Sequence, residues 1–68
     1  MLEDKIAQLE HTRDLYLRDL EPKNLAIIRK SFGLQVMCKR RDWLKKQVKR
    51  CDEEIGGLRE QERFDNRI

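Results

Sequence analysis

The chain has 68 residues, of which 43% are charged and only 6% are aromatic, and its formal net charge is +3 at neutral pH. This length excludes more than one domain and approaches the lower limit for a self-sufficient hydrophobic core. Leu, Ile, Lys, Arg, Glu, Gln and Asp dominate a composition with three glycines and one proline, which is typical of a long helix or coiled coil. So high a charge also fits a disordered chain, but the regular spacing of the apolar residues argues against disorder.

The sequence contains neither a predicted membrane span nor a predicted signal peptide. No apolar run approaches the roughly 18 residues that cross a bilayer, and Met1-Leu2-Glu3-Asp4-Lys5 does not resemble a signal peptide. We therefore expect an intracellular, cytoplasmic protein with no membrane partner. Residues 1–68 form a single coiled-coil segment in this interpretation. Because the sequence stops at Asn66-Arg67-Ile68 without a capping or turn signal, we expect it to be a fragment of a larger protein.

A heptad repeat begins at Leu2 and continues to Leu58. Alternate steps of four and three reach seventeen positions, thirteen of them apolar. Such a repeat predicts an all-α fold, with long helices that pair as a parallel, left-handed coiled-coil dimer. The four polar positions are expected to fix register at some cost in stability; they are Arg13, Lys23, Lys30 and Arg41. The thirteen apolar positions, called the heptad seam below, are Leu2, Ile6, Leu9, Tyr16, Leu20, Ile27, Leu34, Met37, Leu44, Val48, Cys51, Ile55 and Leu58.

Pro22 interrupts the first part of this repeat. Proline costs roughly 3 kcal/mol inside a helix, so either one rod continues with a break or kink, or a second helix starts at Pro22 and folds back as a helical hairpin. Because heptad register is kept from Leu20 to Ile27, the sequence favours the rod, with the hairpin as the alternative. Gly56-Gly57 weakens the last turns, so the helix is expected to fray beyond Leu58 or soon after it.

A second apolar stripe lies outside the seam, between residues 15 and 43. Polar residues are typical of these outer heptad positions, and large apolar ones indicate another interface. The outer stripe, predicted to be this second interface, comprises Leu15, Leu25, Ile28, Phe32, Val36 and Trp43.

The charge pattern suggests how a second layer of helices is arranged. Residues 1–21 and 51–68 each carry a net charge of −3, whereas residues 29–50 hold nine basic residues against Asp42, a net of +8. An antiparallel arrangement places the basic segment over acidic ones. We therefore predict two parallel dimers packed antiparallel as a homotetramer. Within each dimer, Lys5 is expected to pair with Glu10 of the partner, and Glu54 with Arg59.

Two other binding modes compete with self-association. The basic segment 29–50 could bind nucleic acid, although its own heptad seam makes this less favoured. Residues 36–51 form a basic amphipathic segment that a calmodulin-like protein could bind. The basic patch common to both alternatives is Lys39, Arg40, Arg41, Lys45, Lys46, Lys49 and Arg50.

Nothing in the sequence points to catalysis, a cofactor or a metal. His11 is the single histidine and falls at an outward-facing heptad position, and the many carboxylates are spread along the chain. Cys51 fits a small core residue, while an interchain metal site or disulfide at Cys38 or Cys51 stays open. We therefore expect a non-enzymatic oligomerisation and protein-interaction module of a scaffold-type protein, cytoskeletal or centrosomal, that binds its own copies or helices of another scaffold.

Overall fold

The computed structural model of the chain describes the backbone of residues 2–65 and the side chains of residues 2–64. Three α-helices account for nearly all of these residues: α1 (Leu2–Asp19), α2 (Pro22–Phe32) and α3 (Leu34–Asp65). The all-α prediction is confirmed for this part of the chain. The terminus Asn66-Arg67-Ile68 lies outside the described residues.

The junction between α1 and α2 is built around Pro22. Proline is the first residue of α2, where its missing N–H costs no helical hydrogen bond. The end of α1 is closed by the N–H of Leu20, which donates to the carbonyl of Tyr16 at 3.1 Å. The Asn24 side chain also donates to the Arg18 carbonyl at 2.7 Å, and so satisfies a helix-terminal acceptor. Pro22 therefore separates two helices.

A single residue, Gly33, connects α2 to α3. Its backbone has φ 96° and ψ 171°, a conformation that only glycine adopts readily. The Gly33 N–H donates to the Arg29 carbonyl at 2.9 Å, and the Gly33 carbonyl accepts from the Met37 N–H at 3.2 Å. Helix-type hydrogen bonds thus continue up to this residue from both sides, and the change of direction is confined to it.

The dimensions show that the chain folds back on itself. The Cα atoms span 54 × 15 × 14 Å, whereas one continuous helix over residues 2–65 would be about 96 Å long at about 1.5 Å per residue. By the same rise, α3 is about 48 Å long and α1 and α2 together about 44 Å. Both α1 and α2 contact α3, so they lie end to end beside it in a hairpin-like arrangement.

This arrangement differs from the continuous rod that the heptad favoured. Pro22 does end one helix and begin the next, as the hairpin alternative required, but the reversal occurs eleven residues later at Gly33. Heptad register kept across Pro22 did not require a continuous rod. Because α1 and α2 lie end to end and both pack on α3, the seam keeps its phase across the break between them. Helix α3 continues to Asp65, seven residues beyond Leu58, and the predicted fraying of its last turns stays a prediction. Good helix formers follow the two glycines and offset their cost.

Candidate helix-docking surface

The contacts between α1 and α3 show that the two helices run antiparallel. As the position along α1 rises from Glu10 to Arg13 to Tyr16, the partner on α3 falls from Arg59 to Asp52 to Trp43. The three contacts are an ion pair at 2.8 Å, an ion pair at 2.9 Å and an aromatic pair whose ring centroids are 5.7 Å apart. They define the register of the hairpin.

The interior of the hairpin consists of heptad-seam residues. Among the described side chains, the buried apolar ones are Ile6 on α1 and Leu44, Cys51 and Ile55 on α3. The half-buried seam residues are Leu2, Leu9, Tyr16, Leu20, Met37, Val48 and Leu58. The remaining two, Ile27 and Leu34, are exposed. The seam therefore joins helices within one chain here, and its use between chains stays a prediction.

Arg13, one of the polar heptad positions, bridges α1 and α3. Its Nη1 donates to Asp52 Oδ1 at 2.9 Å, and its Nε, shielded from solvent and without a hydrogen bond to any described residue, lies 3.7 Å from Asp14 Oδ1. The pKa of Arg13 is raised, first by the hydrogen bond to Asp52 and further by the nearby carboxylates, although desolvation lowers it. A raised pKa stabilises the fold at every pH below the ordinary pKa of arginine, and this contribution is lost only in strongly alkaline solution.

The second ion pair differs from the one predicted for a parallel dimer. Glu10 and Arg59 were expected to pair with Lys5 and Glu54 of another chain, but Arg59 Nη2 donates to Glu10 Oε1 at 2.8 Å within the same chain. The antiparallel direction of α1 and α3 is the reason, since it brings Glu10 of α1 beside Arg59 of α3 in the same chain. Lys5 lies beside a shallow groove that it lines with Glu54, at the open end of the hairpin.

Trp43 belongs to the outer stripe and also contacts α1. Its ring meets Tyr16 edge-on at 90°, and the Arg40 guanidinium carbon lies 4.6 Å from the ring centroid. Both geometries are favourable, the first as a T-shaped aromatic pair and the second as a cation–π contact. Trp43 is therefore partly engaged inside the hairpin, while 42% of it stays accessible.

The other outer-stripe residues divide between two environments. Leu25 and Ile28 on α2 are half-buried, and Leu25 lines a shallow apolar groove between α2 and α3 together with Pro22, Ala26, Arg29 and Met37. Leu15, Phe32 and Val36 are exposed. The structure does not gather the six residues into one surface, because the chain reverses in the middle of the stripe.

Four large apolar side chains within six residues of Gly33 are open to solvent. We call them the tip surface; they are Ile27 (62% exposed), Phe32 (70%), Leu34 (53%) and Val36 (46%). Two of them, Ile27 and Leu34, were assigned to the seam, and their exposure follows from the reversal at Gly33, which interrupts the seam on both sides. Leu17 and Phe64 are further exposed apolar residues that the heptad analysis did not single out. They surround the tip and do not share one face, because Leu34 and Val36 are two residues apart in α3 and so point to opposite sides of that helix. Large exposed apolar side chains concentrated at one end of a molecule often mark an interaction site.

Charge is segregated along the hairpin. Residues 22–50, which include the tip surface, contain ten basic residues against Asp42, a net charge of +9. Residues 1–21 and 51–68 each have a net charge of −3 in the sequence. The described parts of these two segments, residues 2–21 and 51–65, lie at the opposite end of the hairpin. In the basic patch, Arg41 is half-buried and 3.3 Å from Asp42. The other six are exposed and lie on several sides of α3: Lys39, Arg40, Lys45, Lys46, Lys49 and Arg50.

The residues considered as catalytic or metal-binding candidates are not brought together by the fold. His11 is exposed, Cys38 is half-buried and Cys51 is buried, and both thiols are free. Among the described residues, no three His, Cys, Asp or Glu side chains are grouped as metal ligands would be. The expectations for catalysis, cofactors and metals stay predictions, as do nucleic-acid binding and recognition by a calmodulin-like protein.

Comparison with known proteins adds no assignment. No known protein family, curated protein or solved structure matches the chain. Within residues 2–65, no helix has both the length and the apolar character that crossing a membrane requires.

Proposed function

We propose that the chain is an α-helical oligomerisation module of a scaffold-type protein, and that its hairpin docks through the tip surface onto a second copy. Tip-surface exposure is the observation that carries the proposal. Burying a large apolar side chain contributes roughly 1.5–3 kcal/mol, so covering four of them offsets much of the entropic cost of association. Because one hairpin supplies a pair of antiparallel helices, two chains supply the four-helix layer that the sequence interpretation built from four chains.

Charge selects the orientation of the second copy. With tip beside tip, two +9 segments would face each other, and their repulsion would oppose association. With the two hairpins antiparallel, each +9 segment faces the acidic end of its partner. Exposed Phe64, in the last turn of α3, lies at that acidic end and gives the partner's tip surface an apolar contact. The proposed assembly is therefore an antiparallel dimer of hairpins with a two-fold axis.

Light scattering across a concentration series tests the assembly. The chain has a mass of 8.3 kDa, so the proposal expects a rise to twice that mass, whereas four chains would favour the homotetramer. Salt separates the two orientations, because screening weakens an antiparallel dimer and strengthens a tip-to-tip one. A chain that stays monomeric at every concentration would contradict the proposal.

A pair of variants tests the surface itself. Val36→Glu or Phe32→Glu places a charge in the tip surface and is expected to weaken the dimer at least tenfold, with helicity unchanged. Gln35→Glu is the matched control, since it adds the same charge on an exposed neighbouring residue without removing an apolar contact. Equal weakening by Val36→Glu and Gln35→Glu would show that charge, and not the tip surface, governs association.

A further inference from the structure

The one-residue connection between α2 and α3 is an unusual hinge. Gly33 has a backbone conformation restricted to glycine, and helix-type hydrogen bonds reach it from both sides, to Arg29 and from Met37. In a straight helix, the N–H groups of residues 34–36 would donate to the carbonyls of residues 30–32. Straightening Gly33 alone would therefore fuse α2 and α3 into one longer helix. Short connections under strain favour the exchange of elements between copies.

The heptad pattern continues through this hinge. Ile27, Lys30, Leu34 and Met37 follow one another by three, four and three residues, so the seam keeps its phase across Gly33. A hairpin turn does not require this, because the two helices beside a turn need not share one phase. A straightened α2–α3 helix does require it, since only then does a single stripe face one partner.

The contacts of the hairpin also suit a symmetric pair of opened chains. Arg13 lies twenty residues before Gly33 and its partner Asp52 nineteen residues after it. Two opened chains related by a two-fold axis near Gly33 would bring Arg13 of each copy beside Asp52 of the other. The same holds approximately for Glu10 and Arg59. These two ion pairs, each made once within a hairpin, would each be made twice between copies.

Two seam residues that are exposed in the closed hairpin would be covered in a pair of opened chains. Ile27 and Leu34 occupy seam positions, yet more than half of each is exposed beside the reversal. In an antiparallel pair of straight helices, the middle of the seam faces the partner like the rest of it. Opening and pairing of the chains would therefore bury two seam residues per chain that are exposed in the hairpin.

We propose that Gly33 is a hinge at which the chain opens, and that the heptad seam then binds a second copy by exchange of α3. This inference does not rest on the proposed function, which uses the tip surface of closed hairpins. In the closed form α3 meets α1 and α2 of its own chain, and in the exchanged form it meets those of the partner. Closed hairpins prevail in dilute solution and exchanged dimers form as concentration rises, because only the second form depends on concentration.

Gly33→Ala tests the hinge. Alanine rarely adopts the backbone conformation that Gly33 has in the hairpin, and it favours a straight helix. Nothing lies within 4 Å of the added methyl group, so the substitution causes no steric clash. We expect the dissociation constant of the exchanged dimer to fall by at least about a hundredfold, because the substitution stabilises the straight helix in both of its chains. Gly56→Ala is the matched control inside α3, where the added methyl group also meets open space. It is expected to stabilise the helix equally in the closed and the exchanged form.

Light scattering and small-angle X-ray scattering, both in reducing buffer, separate the outcomes. The exchanged dimer has twice the 8.3 kDa mass and a length near the ~96 Å of a continuous helix. A dimer of closed hairpins keeps a length near 54 Å. A Gly33→Ala chain that stays a 54 Å species, or that becomes a less helical monomer, overturns the proposal.

A mixing experiment identifies which residues pair. In the Gly33→Ala background, Arg13→Asp places two acidic residues at the bridge, and Asp52→Arg places two basic ones. Each variant alone is expected to dimerise poorly. In an exchanged heterodimer each altered residue meets its opposite charge, so an equimolar mixture is expected to recover the parental dimer, resolved by native mass spectrometry. No gain on mixing overturns the exchange, because closed hairpins keep their own mismatch whatever they are mixed with.

Discussion

Leu44 is the one fully buried large side chain among the described residues, so the stability of the hairpin is expected to depend strongly on it. It lies at a seam position in α3 and is 0% exposed, whereas Leu34, also at a seam position in the same helix, is 53% exposed. Truncation of a buried leucine to alanine costs about 2–5 kcal/mol. Domains have about 0.05–0.15 kcal/mol of stability per residue, which gives about 3–10 kcal/mol for a chain of this length. Leu44→Ala therefore removes a large share of the total.

Thermal unfolding followed by circular dichroism measures this loss. For a domain of this size, 1 kcal/mol corresponds to about 4–8 °C in Tm, so a cost of about 2–5 kcal/mol for Leu44→Ala is expected to lower Tm by about 8–40 °C. Leu34→Ala is the control, and as a surface substitution it is expected to change stability by less than about 0.5 kcal/mol. Both variants are compared at a dilution where light scattering shows a monomer, so that association does not contribute.

The comparison can refute the packing described above. If Leu34→Ala lowered Tm as much as Leu44→Ala, the buried seam would not be the source of stability in the monomer. If neither variant changed Tm, the hairpin would not be held by the seam at all.

Two further predictions concern the same packing and the bridge between the helices. Ile55→Val at a buried position is expected to lower the free energy of unfolding by about 0.5–1.5 kcal/mol, measured by urea unfolding of the monomer. The control Ile27→Val, at an exposed position, is expected to change it by less than about 0.5 kcal/mol. Equal costs for the two variants would argue against the assigned core. Asp52→Asn removes the charge that faces Arg13 and is expected to lower Tm at low salt. The difference from the unaltered chain should shrink in 1 M NaCl, and a difference independent of salt would contradict an electrostatic role.

The sequence anticipates the helical character and much of the interior. Apolar spacing alone places Ile6, Leu44, Cys51 and Ile55 on one stripe, and these residues are buried in the hairpin. A heptad gives the face of a helix that needs cover, but it does not say whether the covering helix belongs to the same chain. The conformation of Gly33 decides that point, and a glycine in a sequence is compatible with both a helix interior and a reversal.

The tip surface was harder to derive from the sequence. Phe32 and Val36 were singled out as outward-facing and are exposed, yet Ile27 and Leu34 were assigned to the interior. Their exposure depends on where the chain turns, which periodicity does not encode. The Arg13–Asp52 bridge was missed for the same reason, because the two residues are 39 positions apart and meet only after the reversal.

The contact between Trp43 and Tyr16 has a practical consequence. Trp43 is the single tryptophan of the chain, and its ring contacts both Tyr16 of α1 and the guanidinium of Arg40. Separation of α1 from α3 removes the tyrosine edge and admits water to the indole, while melting of α2 alone leaves both neighbours in place. The emission of one native fluorophore therefore reports on the first helix specifically, without a label.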